Sequence, residues 1–327
     1  MADKAVADLI RLKCARQNPT ENLKFGYDLA DGTRRKFHLK LWNIYNFFVT
    51  YANLDGYKPS ETENLKLKTN NVLNLWVLAR LNQTVKDVTE DLDKFDAFAA
   101  SNSIDKFVDD LSLWYIRRSR DRVGPAADSE SDKEAFYQTT YYVLHTTAKL
   151  LAPFTPFLSE IIYRNLTKDE SVHLTNWPEI VTLSDKDNTM LSEVQKIREI
   201  VEKAHAIRKE KIISVKQSLT SFSTIEKPVS KNLEYLLKDE INVKKIIWNS
   251  KTNEFDTNIT PELEEEAKAR ELMRKIQGER KNMGLDLTQK VDVKNDWIPR
   301  DAKLKGWIIR KAQVGSISEG EFNVKKI

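Results

Sequence analysis

Cysteine is almost absent from the sequence, since Cys14 is the only one among 327 residues. A single thiol excludes an intrachain disulfide and a zinc site built from several cysteines, so a reducing cytoplasmic location is expected. No apolar run reaches the roughly 18 residues that a membrane helix needs. The N-terminus, MADKAVADLI, lacks the apolar core of a secretory signal. We therefore expect a cytoplasmic protein without a membrane partner.

Glycine is also scarce, and none of the nine falls into a GxGxxG or GxxxxGK[ST] pattern. A loop that cradles phosphates through its backbone amides normally has such a pattern. The four histidines lie far apart, and none pairs with another at metal-ligand spacing. We therefore predict no catalytic residue, no metal site and no cofactor within this chain.

Apolar periodicity in the first two thirds of the chain predicts successive helices. The predicted ranges are 38–53, 71–92, 104–117, 131–151 with a Ser131/Glu134 capping box, and 156–166 starting at Pro156. Trp42, Trp76 and Trp114 lie on apolar stripes, so they are expected in the core rather than as stacking platforms. Long helices with short turns predict an antiparallel helical bundle over 25–180.

The pattern changes beyond residue 180. We predict a helix at 188–210, strand-like runs around Ile213, Val215 and Leu219 and at 242–248, and a helix at 261–283. Thr260 is the predicted N-cap of that last helix, and Gly284 its stop. The tail beyond 285 gives only weak strand signals. The fold class is thus mostly α, with a small α+β module in 181–327.

Positive charge is concentrated, although the 53 Lys and Arg against 49 Asp and Glu give only +4. Residues 268–311 carry a local +7. Three clusters stand beside aromatic residues or on a helix: Arg34, Arg35, Lys36 and Lys40; Arg117, Arg118, Arg120 and Arg122; and Arg270, Arg274, Lys275, Arg280 and Lys281. Such clusters suit phosphate contacts with base stacking. Composition alone leaves open an ordinary solvated surface on a structural helical scaffold.

Several phrases resemble one family in that family's own order. They are RQNPTENLKFGYDLA, LWNIYNFFVTYANLD, DDLSLWYIRRSRDR and LLAPFTPFLSEIIYRNL, then SVHLTNWPE, RKEKIISVKQSL, KDEINVKKI and the stretch from ITPELEEEAKAR to Val293. The chain resembles the anticodon-binding region of class I aminoacyl-tRNA synthetases of the isoleucine type, from about Ala7 to Val293. The valine and leucine enzymes share the bundle, so the equivalent region of a valine enzyme is an alternative.

The resemblance implies a helical bundle of the class I anticodon-binding type that approaches the anticodon stem-loop of isoleucine tRNA. The α+β module would bind the anticodon itself. The protein would be monomeric. The implied backbone contacts are Arg34, Arg35, Lys36, Arg117, Arg118, Arg120, Arg274, Lys275, Arg280 and Lys281. Asn43 and Asn46 are candidates for hydrogen bonds to bases, with plain solvent exposure or helix–helix bonding as the alternative.

The sequence departs from the family in two respects. It lacks the HIGH-type and KMSKS-type motifs of the catalytic domain and the editing domain, so ATP and Mg²⁺ are expected only in such a missing domain. The resemblance implies that residues 1–24 form the helix that follows the catalytic domain. Lys216, Ser218 and Asn74 replace an arginine, a proline and an acidic residue usual in the family. The chain is interpreted as part of an isoleucine–tRNA ligase. A stand-alone tRNA-binding protein derived from a synthetase is the alternative.

Overall fold

The computed structural model describes residues 2–18, 20–22, 26, 31–59 and 69–327, with the backbone alone for 2–6. The segment GYDLA of the first family phrase lies largely outside the described residues. The chain divides into two compact units, one over residues 1–123 and 127–188 and the other over 124–126 and 189–327. Each unit is described by itself below.

The first unit is built from helices. They are α1 (Ala2–Ala15), α2 (Leu39–Leu54), α3 (Val72–Asp93), α4 (Ala97–Asp110), α5 (Glu130–Leu151) and α6 (Pro156–Leu166). A π-helical turn, Arg34–His38, leads into α2, and a second one, Leu111–Ile116, continues α4 into the short helix Arg117–Ser119. The predicted ranges of α2, α3 and α6 agree with the structure to one residue at each end.

Aromatic side chains fill much of this unit's core. The rings of Tyr115 and Phe136 stack with centroids 5.7 Å apart, and Tyr137 packs edge-on against Phe136. Trp76 and Trp114 are buried, as predicted. Trp42 is not: its side chain is 39% exposed, so the prediction of a core residue is wrong there.

The start of α5 also differs from the prediction. Ser129, not Ser131, is the N-cap, and its side chain accepts a hydrogen bond from the backbone N–H of Asp132 at 3.2 Å. The capping signature was therefore assigned two residues too late. Both serines precede acidic residues of the first turn, so the sequence offers two similar cap candidates.

The second unit alternates helices and short strands. In chain order they are α7 (Asp185–Glu210), β1 (Leu219–Ser223), α8 (Glu234–Ile241), β2 (Val243–Ile247), β3 (Glu254–Phe255), α9 (Pro261–Asn282), β4 (Val291–Asn295), α10 (Ala302–Lys311), β5 (Val314–Glu319) and β6 (Asn323–Lys326). The side chain of Thr260 caps α9 as predicted, and Gly284 follows it with a positive φ of 64°.

Two small mixed sheets organise this unit. In the order β2–β1–β3, β1 pairs in parallel with β2 and antiparallel with β3. In the order β5–β4–β6, β4 pairs in parallel with β5 and antiparallel with β6. Buried side chains of α9, α10, β4 and β5 form one apolar cluster beside the second sheet. The tail beyond 285 is thus a folded part of the α+β module.

The strand predicted around Ile213 and Val215 is absent, because this segment forms turns and β1 starts at Leu219. The predicted fold class, mostly helical with a small C-terminal α+β module, is confirmed. No helix in the described part of the chain is long and apolar enough to cross a membrane.

Candidate nucleic-acid interface

The basic turn before α2 presents its cations to solvent. Arg34 and Arg35 both pair with Asp31, at N–O distances of 2.6 and 2.9 Å. The hydrogen bond from Arg34 holds the pKa of the Asp31 carboxyl below its usual range. The negative charge of Asp31 thus offsets the positive charge of only one of the two arginines. Lys36 is exposed beside them. The turn keeps a net positive charge that a phosphate can neutralise.

Helix α2 carries an exposed stripe opposite its buried face. Leu41, Ile44 and Phe48 point into the core. Four side chains at helical spacing are exposed on the other side: Leu39, Trp42, Asn43 and Asn46. Trp42 also packs on Tyr45, with ring centroids 5.2 Å apart. Amides that can pair with base edges therefore lie beside a partly exposed indole that can stack on a base.

The arginine cluster after α4 lies close to the other end of α2. Helix α2 packs against the π-helical turn Leu111–Ile116. Burial raises the pKa of Tyr51, and the charge of the nearby Arg120 offsets part of this rise. Tyr51 lies in the last turn of α2, roughly 24 Å along the helix from Arg35 at a rise of about 1.5 Å per residue. Cations thus lie near both ends of α2, in the turn before it and beside its last turn.

Within this cluster the arginines have different roles. Arg120 and Arg117 are exposed, and Arg117 donates through Nε to the carbonyl of Leu113 at 2.7 Å. Arg118 is half-buried. Arg122 was not among the predicted site residues, and it has a structural role: its guanidinium donates to the Asp132 carboxylate at 2.7 and 2.9 Å.

Asn74 links this ion pair to the core. Its Oδ1 accepts hydrogen bonds from Arg122 Nη1 at 2.8 Å and from the Tyr115 hydroxyl at 3.0 Å. The amide nitrogen of Asn74 donates to the carbonyl of Ala135 at 3.1 Å. These bonds fix the direction in which the chain leaves α4, and thereby the place of the arginine cluster.

In the second unit, helix α9 carries the remaining predicted cations. Arg274 and Lys281 are exposed and lie seven residues apart, on one face of the helix. Lys275 is also exposed, and its Nζ lies 3.7 Å from a carboxylate oxygen of Glu271. Such a pair at i,i+4 is typical of a solvated helix face. Arg274 and Lys281 therefore remain the better candidates for phosphate contacts on this helix.

Arg280 is placed differently from the prediction. Its side chain is buried, and its guanidinium donates to the backbone carbonyls of Gln289 and, at 2.9 Å, of Asp286. It therefore holds the loop between α9 and β4 and leaves the set of candidate phosphate contacts. Its spacing along α9 could not reveal this, because the carbonyls that it binds come from a later loop.

Neither unit shows a metal centre, since the described residues contain no group of three or more His, Cys, Asp or Glu that could hold an ion. What the structure brings together in the first unit is one exposed helix face with amides and an indole, bordered by arginines and a lysine. Such an arrangement can bind the backbone of a nucleic acid and contact unpaired bases.

Comparisons with known proteins identify a family for part of the chain. Residues 74–223 match the family described as the anticodon-binding domain of tRNA ligase. Residues 74–223 therefore belong to the anticodon-binding domain family of tRNA ligases.

Within this class, the chain is similar to isoleucine–tRNA ligases. It is 37% identical to that of Clostridium novyi over 71% of this chain and 22% of the relative. It is 33% identical to that of Dehalococcoides mccartyi (strain CBDB1) over 89% and 31%, and 34% identical to that of Thermus thermophilus over 70% and 23%. The chain thus spans less than a third of the length of these relatives, and corresponds to their anticodon-binding region.

A solved structure described as a ternary LeuRS-tRNA-LeuAMS complex from Agrobacterium radiobacter K84 gives a TM-score of 0.41 at 15% identity. This match covers 58% of the present chain and 21% of the other. A likeness of that size carries no argument about the fold or the ligand.

Proposed function

We propose that this chain binds the anticodon stem-loop of isoleucine tRNA and serves ATP-dependent isoleucyl-tRNA aminoacylation as part of a longer enzyme. The observation that carries the proposal is the exposed face of α2, where Asn43 and Asn46 lie beside Trp42, next to the exposed cations of the turn before the helix. The family match over residues 74–223 supports a role at the anticodon.

The proposed division of labour follows from the chemistry of the two kinds of contact. Arginine and lysine bind phosphates and set the position of the RNA without reading its sequence. The candidates for this role are Arg34, Arg35, Lys36, Arg117, Arg118, Arg120, Arg274, Lys275 and Lys281. The amides of Asn43 and Asn46 can read the edges of splayed anticodon bases. Bond formation at the amino acid belongs to the rest of the longer enzyme, where ATP and Mg²⁺ would bind.

The proposal includes a monomeric chain in the cytoplasm, where tRNA is charged. The similarity to isoleucine enzymes supports isoleucine tRNA over valine tRNA as the ligand. A stand-alone tRNA-binding protein would use the same surface, so the two readings differ in what else the protein carries and not in this interface.

Binding of the chain to isoleucine tRNA across a salt series tests the proposal, with valine tRNA and an anticodon-swapped isoleucine tRNA as competitors. If about six phosphates are contacted, log affinity should fall against log salt with a slope of roughly −4 to −5. The isoleucine anticodon should be preferred. No binding at low salt would refute the proposal, and binding that ignores the anticodon would reduce it to an electrostatic contact.

Variants of α2 and of the basic turn before it separate the two kinds of contact. Asn43→Ala with Asn46→Ala should weaken the anticodon preference by about tenfold, the value of one good base contact, while the salt slope stays unchanged. Arg35→Ala with Lys36→Ala should lower the salt slope by roughly 1.5 and leave the preference intact. Lys86→Ala is the control, because Lys86 is exposed on α3 within reach of Glu90, away from α2.

A further inference from the structure

Helix α7 ends in a turn that suits glycine but contains an isoleucine. The N–H of Ile213 donates to the carbonyl of Arg208 at 2.8 Å, and that of Ile212 to Lys209 at 3.2 Å, the pattern of a Schellman motif. Ile212 takes the left-handed position with φ 56°. Glycine is usual there, and a β-branched residue is a genuine outlier. The Ile212 side chain is 93% exposed, so packing within the protein does not explain it.

Hydrogen bonds from neighbouring side chains fix the backbone of the segment 209–216. Arg208 is buried, and its guanidinium donates to the carbonyls of Ser214 and Ile241, each at 2.8 Å. The same group lies 4.6 Å from the centre of the Phe255 ring. The side chain of Asn242 donates to the carbonyl of Val215 at 3.1 Å. The exposed side chains of residues 209–216 therefore project from a fixed backbone.

These exposed side chains combine apolar surface with positive charge. Ile212 is joined by Val215, which is 53% exposed. Lys209, Lys211 and Lys216 are exposed around them, against the single acidic residue Glu210. Among the described residues, none of the three lysines forms an ion pair. Apolar side chains surrounded by lysines without ion pairs complement a nucleic-acid base, because the phosphates beside the base can pair with the lysines. An apolar protein surface would leave these charges without a partner.

The same turn occurs at the end of α3 with the opposite charge around it. Phe95 has φ 60° and is 96% exposed. Its N–H donates to Leu92 at 2.9 Å, and that of Asp96 to Asp91 at 2.8 Å. Asp91, Asp93 and Asp96 flank this turn against the single cation Lys94, a net negative charge that would repel an RNA backbone. The chain thus contains a natural control for the turn after α7.

We propose that residues 209–216 form an RNA-binding segment, in which Ile212 and Val215 pack against an unpaired base while Lys209, Lys211 and Lys216 contact the neighbouring phosphates. The proposal rests on the proposed function, tRNA binding, and adds a contact site in the second unit. The proposal explains why an isoleucine occupies this left-handed position: its side chain contacts the RNA and not the core of the protein.

Ile212→Gly separates the two effects of this residue. Glycine fits the turn, so the melting temperature of the full chain should stay or rise by a few degrees. Affinity for isoleucine tRNA should nevertheless fall by about fivefold, since a base loses its apolar contact. Phe95→Gly is the matched control: it should have the same effect on melting and none on tRNA affinity. An Ile212→Gly variant that binds tRNA like the wild type would overturn the proposal.

A second variant tests the cations. Replacing Lys209, Lys211 and Lys216 by alanine should lower the salt slope of tRNA binding by roughly 2 to 3. An unchanged slope would refute the phosphate contacts. The exposed isoleucine would then be a contact for a protein partner and not for RNA. If the wild-type chain binds no tRNA at all, the proposed function itself fails. If it binds and these variants bind equally well, only this segment is refuted.

Discussion

Arg122 fixes the position of the neighbouring arginine cluster without being part of the candidate interface. Its guanidinium binds Asp132 and Asn74 and lies 5.4 Å from the centre of the Phe136 ring. We expect Arg122→Ala to lower the free energy of unfolding by about 2 kcal/mol, because Asp132 and Asn74 lose a charged donor and keep only the hydrogen bonds from Asn71 and Tyr115. Urea denaturation measures this loss. Arg164→Ala, at an exposed position of α6, is the control, and an equal loss in both variants would contradict the role given to Arg122.

His38 gives the stability of the chain a dependence on pH. Burial lowers its pKa to about 4, whereas an unfolded histidine titrates near 6.5. Between these values the unfolded chain binds more protons than the folded one. The folded state is therefore fully favoured above about pH 6.5 and loses stability as pH falls towards 4.

His38→Gln should remove up to about 1.4 kcal/mol per pH unit from the slope of stability against pH in that window. Urea denaturation at several pH values measures the slope. Other groups contribute as well, including His145, whose pKa burial also lowers to about 4. The difference between variant and wild type isolates His38. His173→Gln, on an exposed segment, is the control, and equal slopes in all three proteins would show that His38 is protonated without cost.

At the scale of the element, the end of a helix is decided by single hydrogen bonds. Ser129 caps α5 through its contact with the N–H of Asp132. Ser129→Ala should therefore cost about 1 kcal/mol of unfolding free energy, and Ser131→Ala a few tenths at most. Thermal or urea unfolding of the two variants decides between the cap seen in the structure and the capping box that the sequence predicts. A larger loss for Ser131→Ala would restore the sequence prediction.

The elements that could be predicted from sequence are those whose pattern is local. Helix α3 follows from its apolar period, and α9 from Thr260, Pro261, the glutamates of its first turns and Gly284. The strand prediction around Ile213 is wrong: β-branched residues favour a strand, but this backbone is held in turns by Arg208, in the last turn of α7, and by Asn242, which is distant in sequence. The tail beyond 285 gave weak signals because its strands are short and become a sheet only by pairing with each other.

The candidate site shows the same limit. The positions of Asn43 and Asn46 on the polar side of α2 could be predicted from helical spacing alone. The exposure of Trp42 could not, since the stripe on which it lies is apolar and only the packing of neighbouring helices leaves the indole at the edge. The burial of Arg280 depends likewise on carbonyls from a later loop.

At the scale of the whole molecule, charge divides the chain unevenly. Residues 184–327 carry 29 Lys and Arg against 24 Asp and Glu, a net +5, and residues 1–183 carry a net −1. The C-terminal part also contains an apolar cluster of its own, from Ala269 to Val314. A fragment of residues 184–327 should therefore fold alone, with a cooperative unfolding transition.

This fragment should retain most of the electrostatic affinity for tRNA. Long-range attraction follows net charge, so at low salt we expect it to bind isoleucine tRNA within about tenfold of the full chain. The fragment of residues 1–183 should bind more weakly, because only its local clusters attract the backbone. Filter binding or fluorescence anisotropy across a salt series measures both. Tighter binding by the N-terminal fragment would show that the cations bordering α2 outweigh net charge, and that the helical unit alone docks the RNA.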